Sequence, residues 1–390
     1  MNKQNIEPLH VGVIGTGAIC GIYLDTMIQR MEILQVDAIA ARNMARTQEV
    51  ADKYGIRACT VDQLLADKTI DIVVNLTPPA VHEEMIEKCL NAGKHVYTEK
   101  CFALTAAAAE RLCHLAEDKG LYLGCAPDTF FAGWVQAARK AIDDGLLGTV
   151  TSFVMAGNRD NEKLLSANDY MNRPGGGTLL DYSVYYLTVL TALLGPVERV
   201  SAMVKAPYPT HINCYPLSPK FGQVIDTPND SQVYSILELE SGVTGTMAIN
   251  SDSAFYDQSY FAVYGTKGIL YLGDPDWFEG TVRFYENTLD FDKGTHPTLL
   301  TLDNPFGFQV NSRGAGVADL AWSIREGRPM RASKELAYHV LDVQTRMAES
   351  SSGNSGFVAV PSTCTRPAPL AVPDGTEDSA LRTKPQDTAN

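Results

Sequence analysis

The sequence predicts an α/β protein in two parts, an N-terminal doubly wound parallel sheet and a C-terminal α/β part built on a large, mostly antiparallel open sheet. Three observations carry this reading. Short apolar runs alternate with helical patterns as far as Cys125, and a glycine turn joins the first run to the first helix. After Leu194 the helical pattern gives way to strand candidates separated by hairpin turns.

Composition narrows the function classes. The 390 residues, 45% apolar and 20% charged, are enough for two separate cores. A formal net charge of -14 gives no general electrostatic reason to bind nucleic acid or an anionic membrane. Eight cysteines form no CxxC pair and no zinc pattern, so reduced thiols, a cytoplasmic location and no metal are expected. The N-terminus lacks an apolar signal core, and no apolar run approaches the roughly 20 residues of a membrane span.

In the first part, Leu9 to Ile14 reads as a strand and the pattern to Met31 as a helix, with Gly15, Thr16, Gly17, Ala18 and Ile19 between them. Gly15 permits the turn, and Gly17 lets backbone amides at the helix start approach a pyrophosphate. A GxG also serves an ordinary strand-to-helix turn, and Cys20 stands where a third glycine is usual. The second strand, Val36 to Ala41, ends in Arg42 and Asn43 rather than in a carboxylate. With Arg46 four residues on, this end favours the 2'-phosphate of NADP over NAD, although the same pair also suits a solvated helix face.

A helix at Met44 to Tyr54, a strand near Arg57 to Thr60 and the strand Ile70 to Asn75 follow. Thr77, Pro78 and His82 then open another helix: Thr77 can offer a hydroxyl to a bound ribose or nicotinamide, and proline is welcome at a helix start. His82 belongs to this cofactor-facing segment, but a lone histidine there is more often structural than catalytic. The apolar strand from His95 ends by presenting Glu99 and Lys100, which face a cleft or form a solvated ion pair. The helix Ala103 to Lys119 and the strand Leu121 to Cys125 complete the alternation.

The glycine turn, the Thr-Pro-Pro-x-x-His segment and the Ala-Gly-Lys-His-Val-x-x-Glu-Lys segment occur in one order, and together they resemble the Gfo/Idh/MocA oxidoreductase family. The resemblance implies a Rossmann domain over residues 1–127 and a substrate-binding and oligomerisation domain over 128–366, and the Pro-, Thr- and Asp-rich residues 367–390 have too little apolar content to fold by themselves and read as a flexible tail. The resemblance places Glu99 near the cofactor ribose, with Lys100 reaching the nicotinamide ribose and a substrate hydroxyl. The family's usual Glu-Lys-Pro is Glu-Lys-Cys here, and Phe130-Phe131 stands where many relatives have arginine and phenylalanine.

In the second part, Gly175-Gly176-Gly177 gives a backbone able to approach a ligand, followed by a helix to Leu194. Asp181 and Tyr185 lie four apart, hence on one helical face. Many relatives carry Asp-x-Gly-x-His here and others have tyrosine at the last position; this chain departs from the first pattern at Ser183 and Tyr185, and tyrosine takes the place of imidazole. Tyr182, Tyr185 and Tyr186 also suit aromatic packing. In a drying cleft, Lys100 and Tyr185 would lower at least one of their high pKa values. The expected chemistry is proton removal by Tyr185, polarisation by Lys100 and a neighbouring hydroxyl held by Asp181.

Strands are expected at Val197 to Val204, Val233 to Leu239, Gly245 to Ser251, Phe261 to Tyr264, Gly268 to Leu272, Val282 to Tyr285 and Thr298 to Leu302. Ala206 to Asp230 reads as a long loop, and Val317 to Gly327 and Ser333 to Ser350 as helices. His339 reads as packed or partly exposed. The second sheet leaves one face needing cover, and the family resemblance implies that another subunit supplies it, in a homodimer or homotetramer.

The function expected is NADP-linked, or alternatively NAD-linked, oxidation of a secondary alcohol in a small polyhydroxylated substrate such as a sugar, glycoside or polyol. Alternatives are a trans-dihydrodiol dehydrogenase or carbonyl reductase, favoured if Phe130, Phe131 and Trp134 line the pocket, and a non-catalytic nucleotide-binding sensor. The family includes a fungal regulator of galactose genes of that last kind.

Overall fold

The computed structural model describes residues 7–254, 259–286, 299–353 and 356–371. They form two compact units. The first gathers the chain up to Phe131, a later segment Asn311–Tyr338 and the chain from Leu370, and the second holds Ala132–Val310 and His339–Pro369. A single cut after residue 127 is therefore replaced by a discontinuous first unit. Most of the expected tail, residues 372–390, lies outside the described residues, and Leu370 at its start is buried.

The first unit runs β1 (Leu9–Ile14), α1 (Cys20–Arg30), β2 (Leu34–Ala40), α2 (Met44–Tyr54), β3 (Arg57–Cys59), α3 (Val61–Ala66), β4 (Ile72–Asn75), α4 (His82–Asn91), β5 (His95–Thr98), α5 (Ala106–Asp118) and β6 (Leu123–Cys125). Its strands are all parallel, in the order β3-β2-β1-β4-β5-β6. This is the doubly wound order of dinucleotide-binding sheets. Every residue of β4 is buried, as expected of a strand covered on both faces, so it reads as a continuous apolar run. Helix α3 was not expected. It is too short to show a period, but Thr60 and Gln63 close its start with a capping box.

The second unit holds α6 (Gly133–Asp143), β7 (Val150–Asn158), α7 (Asn161–Ala167), a π-helical turn (Thr178–Tyr182) and α8 (Ser183–Leu194). There follow β8 (Val197–Lys205), β9 (Thr210–Ile212), β10 (Val224–Asp226), β11 (Gln232–Leu239), β12 (Thr244–Asn250), β13 (Ser259–Gly265), β14 (Gly268–Leu272), β15 (Arg283–Glu286) and β16 (Leu299–Thr301). Helix α9 (Ala315–Glu326) belongs to the first unit, while α10 (Lys334–Ser352) leads back into the second, which ends with β17 (Val358–Ala359). The large sheet has the order β16-β15-β14-β13-β7-β12-β11-β8-β17. Its pairs are antiparallel except β7 with β12, so it is mostly antiparallel.

Two expectations are corrected here. Strand β7 sits in the middle of the sheet but was not expected, although its inward residues Phe153, Met155 and Gly157 alternate with half-exposed ones. The stretch Ala206 to Asp230 is not only a loop, because β9 and β10 pair within it as a separate two-stranded sheet. Helix α8 is buried on all sides from Ser183 to Leu193, which places it in the core of this unit. Among the described residues no helix is long and apolar enough to cross a membrane.

Strand β7 has no spare room against α8: a Cβ on Gly157 would lie 2.2 Å from the Tyr186 hydroxyl. Gly157→Ala is therefore expected to destabilise the protein by about 1–3 kcal/mol through overpacking. Urea denaturation monitored by circular dichroism checks this.

Candidate functional site

In the first unit the chain leaves each strand at the same edge of the sheet, and backbone hydrogen bonds tie these exits together. Gly15 N donates to Ala40 O at 2.9 Å, Leu76 N to Ile14 O at 2.7 Å, Glu99 N to Asn75 O at 2.9 Å and Ala126 N to Thr98 O at 2.9 Å. The glycine turn, Arg42, Thr77 and the Glu99-Lys100 pair thus stand along one edge, where ligands of such sheets bind.

The two glycines of the turn do different things. Gly15 has φ +117°, and a Cβ there would lie 2.5 Å from Leu76 O, so it serves the packing of the turn. Gly17 is exposed, and a Cβ on it would meet nothing within 4 Å, which leaves its backbone open to a phosphate group. Ile19 precedes α1 without a side-chain cap, and of the first amides of the helix Cys20 N donates to Gly17 O at 3.2 Å. Cys20 is buried in the place of the usual third glycine, and burial pushes its thiol up to about 11. The fit to a pyrophosphate is good.

At the end of β2, Arg42 and Arg46 are both exposed. Asn43 between them is committed to the fold, because its side chain accepts from Arg46 N at 3.1 Å and caps α2. Thr77 donates its hydroxyl to Asn75 Oδ1 at 2.7 Å, which leaves it only as an acceptor toward a ligand. Pro78 precedes the short 3-10 turn Pro79–Val81 that leads into α4.

His82 departs from its cofactor-facing expectation. It is wholly buried, and its two ring nitrogens lie 2.7 Å from Cys101 O and 2.7 Å from Thr77 O. Burial lowers its pKa. Glu99 is likewise engaged inside the protein: Oε1 accepts from the Tyr23 hydroxyl at 2.7 Å and Oε2 from Lys100 N at 3.0 Å. Tyr23, which sequence reading passed over, lies on the buried face of α1. Glu99 and Lys100 are both half-buried at the end of β5.

Asp128 follows β6 and is 1% exposed. Its Oδ2 accepts from Gly314 N at 2.8 Å and Gly316 N at 3.0 Å, which anchors the start of α9 within the first unit. Burial pushes its pKa up to about 6 despite these two bonds.

In the second unit Asp181 is also buried, in the π-helical turn that precedes α8. The regular helix assumed for the Asp181 and Tyr185 pair thus begins only at Ser183. A π turn of this kind often accompanies a functional residue. Asp181 Oδ2 accepts from Arg159 Nη1 at 3.1 Å, and the Arg159 guanidinium lies 4.5 Å from the centre of the Tyr182 ring. Arg159 directly follows β7, so missing that strand meant missing this partner. Ser183, in the place of the family's glycine, donates to Leu179 O and accepts from Gln344 Nε2 at 3.1 Å, which holds the π turn against α10.

The three-glycine stretch is corrected too. A Cβ on Gly176 would lie 2.4 Å from the Met171 backbone, and one on Gly177 would lie 2.4 Å from Asp230 Oδ1. These glycines are small because protein, not ligand, fills the space beside them. Of the three tyrosines, Tyr182 and Tyr186 are 1% and 0% exposed and their hydroxyls lie 3.5 Å apart. Burial pushes both phenols above the ordinary tyrosine range. Tyr185 is 8% exposed, the most accessible of the three. His339 is packed, accepting from Val197 N at 3.0 Å. Among the described residues no group of three His, Cys, Asp or Glu side chains could hold a metal ion.

Residues 9–126 match the model of an oxidoreductase family with an NAD-binding Rossmann fold, and residues 135–271 match the C-terminal domain of the same family. The chain belongs to the Gfo/Idh/MocA oxidoreductase family. An uncharacterized oxidoreductase of Schizosaccharomyces pombe is 33% identical over 210 residues, 52% of this chain and 56% of that protein, so the match spans little more than half of that relative. The trans-1,2-dihydrobenzene-1,2-diol dehydrogenase of Bos taurus is 27% identical over 69% of this chain and 75% of its own length. D-xylose dehydrogenase of Paenarthrobacter nicotinovorans is 27% identical over 62% of this chain and 64% of its own length. Among solved structures, levoglucosan dehydrogenase in complex with NADH aligns with a TM-score of 0.78 at 21% identity, covering 91% of this chain and 100% of that one. That likeness shows the fold.

Asp128 makes the stability of this Gfo/Idh/MocA protein depend on pH. Its folded pKa of about 6 lies above the ordinary 3.8, so between those values the native state holds the extra proton and stability falls as pH rises. The loss totals about 3 kcal/mol at about 1.4 kcal/mol per unit. Asp128→Asn is expected to flatten this slope relative to the parent protein between pH 4 and pH 6, as followed by chemical denaturation.

Proposed function

We propose that the protein is a nicotinamide-dependent dehydrogenase that oxidises a secondary alcohol of a sugar, glycoside or other polyol, with NADP preferred over NAD. One observation supports this most. Lys100 stands at the exit of β5 on the same sheet edge as the open backbone of Gly17 and the exposed Arg42. Gly15, Thr16, Gly17, Ala18 and Ile19 would hold the pyrophosphate, and Arg42 with Arg46 a 2'-phosphate. Thr77, Pro78 and Glu99 would border the nicotinamide ribose, with His82 behind them. A bound nicotinamide supplies the hydride acceptor.

The remaining steps belong to the chain's own residues. Lys100 polarises the substrate oxygen, Tyr185 takes the hydroxyl proton, and Asp181 accepts from a neighbouring hydroxyl. The Arg159 guanidinium 3.1 Å from Asp181 Oδ2 fixes the orientation of that carboxyl group. The related D-xylose dehydrogenase supports a sugar as substrate.

The dihydrobenzene-diol dehydrogenases support a second reading, an aromatic trans-diol in place of the sugar. Phe130 and Phe131 stack on each other at 4.4 Å and are almost fully buried, so neither ring offers itself readily to an aromatic ligand. A sugar is therefore favoured. Met203, Tyr234 and Ile236 leave apolar side chains exposed on β8 and β11, which supports homo-oligomerisation through the large sheet.

Reduced-nicotinamide absorbance over a panel of sugars, polyols and aromatic diols tests the activity. Turnover with at least one sugar is expected, whereas no turnover with any compound and either cofactor would favour the non-catalytic sensor. Lys100→Met should lower kcat by about 10²–10⁴-fold while the protein still folds. Arg42→Ala should lower kcat/KM with NADP by about 10-fold or more and leave NAD nearly unaffected, the loss expected of a charged hydrogen bond.

A further inference from the structure

The segment Glu99-Lys100-Cys101 is gripped at both ends within the first unit. On its N-terminal side, Glu99 Oε2 accepts from Lys100 N at 3.0 Å, while Glu99 Oε1 is held by the Tyr23 hydroxyl at 2.7 Å. On its C-terminal side, Cys101 O faces His82 Nδ1 at 2.7 Å, and the opposite nitrogen of that ring faces Thr77 O at 2.7 Å. His82 and Tyr23 are both wholly buried, so neither is placed to touch a ligand. Cys101 has no ring to lock its φ, as a proline would, and the carbonyl contact to His82 supplies a restraint that the residue itself does not.

We propose that His82, Tyr23 and Glu99 are positioning residues for Lys100, a reading that rests on Lys100 acting on the substrate as proposed above. The first grip fixes the peptide plane before Lys100 and the second holds the carbonyl of the residue after it, so together they restrain where the Lys100 side chain starts. His82 also ties the Thr77 segment to Cys101. Two acceptors face a ring that carries only one N–H when neutral. Burial and the Lys100 charge oppose protonation, while both carbonyls and the Glu99 carboxylate favour it. Glu99 is therefore more than a ribose ligand: a carboxylate that spends one oxygen on Tyr23 and the other on Lys100 N is part of the frame.

The test compares His82→Ala, His82→Gln and Tyr23→Phe with the parent protein. For His82→Ala, kcat should fall about 10- to 100-fold, the cost of a misplaced reacting group, while the dissociation constant for NADPH changes less than about twofold. His82→Gln keeps an amide donor for the Cys101 carbonyl and should recover part of the loss. Tyr23→Phe removes one hydroxyl without changing packing and should give a smaller fall in kcat, which keeps the proposal testable if His82→Ala does not fold.

A second readout needs no cofactor. Carbon NMR of reductively methylated, ligand-free protein, with the Lys100 resonance assigned by its loss in Lys100→Met, should show that resonance displaced in His82→Ala and Tyr23→Phe. Folded variants with parental kcat and an unmoved Lys100 resonance would overturn the proposal. Parental turnover in Lys100→Met would instead sink the catalytic reading, and the resonance would still decide whether the grip exists.

Discussion

Six strands running in one direction form the constraint on which the first unit depends. Because every strand ends at the same edge, each connection to the following helix must start there, and its amides and carbonyls must find partners. The backbone bonds between Gly15 and Ala40, Leu76 and Ile14, and Glu99 and Asn75 are that solution. They also set a flexible glycine, an exposed arginine, a threonine and a lysine side by side, although these lie far apart in the sequence. The chemistry proposed for this protein uses an edge that the hydrogen-bonding needs of the sheet had already organised.

Most of this was legible from residue patterns because the first unit obeys local rules. Its strands are apolar runs closed by glycine or helix signals, and α2 begins and ends where Asn43 and Gly55 dictate, the latter at φ +65°. The second unit was less legible where structure depends on distant partners. Strand β7 carries β-branched and aromatic residues between Gly148 and Asn158, and a period of two was there to be found. The π turn before α8 had no such signal. It is held by Asp230 accepting from Leu179 N and by Gln344 on α10, residues that no local window contains.

Side-chain identity pointed to Glu99 and Lys100 after β5 and to Asp181 after the glycine stretch, but not to what holds them. Tyr23 looked like one more apolar-face residue of α1, and Arg159 like the polar end of an unassigned stretch. The glycines make the same point: Gly17 opens onto empty space, whereas Gly177 is filled by Asp230. Nothing in a run of glycines says whether the absent side chain makes room for a ligand or for the protein itself, and only the packed chain separates the two.

Among the described residues the large sheet has one parallel pair, and it bears on how the chain is made. Thr244 of β12 lies opposite Ser152 of β7, and β13, the other neighbour of β7, comes later still. A ribosome therefore releases β7 well before either flanking strand exists, and its two unsatisfied edges wait through the synthesis of α7, α8 and β8 to β11. Contacts so distant in sequence close slowly and leave strand edges open to wrong partners meanwhile. Strand β7 is thus completed only after both of the strands that flank it have been made.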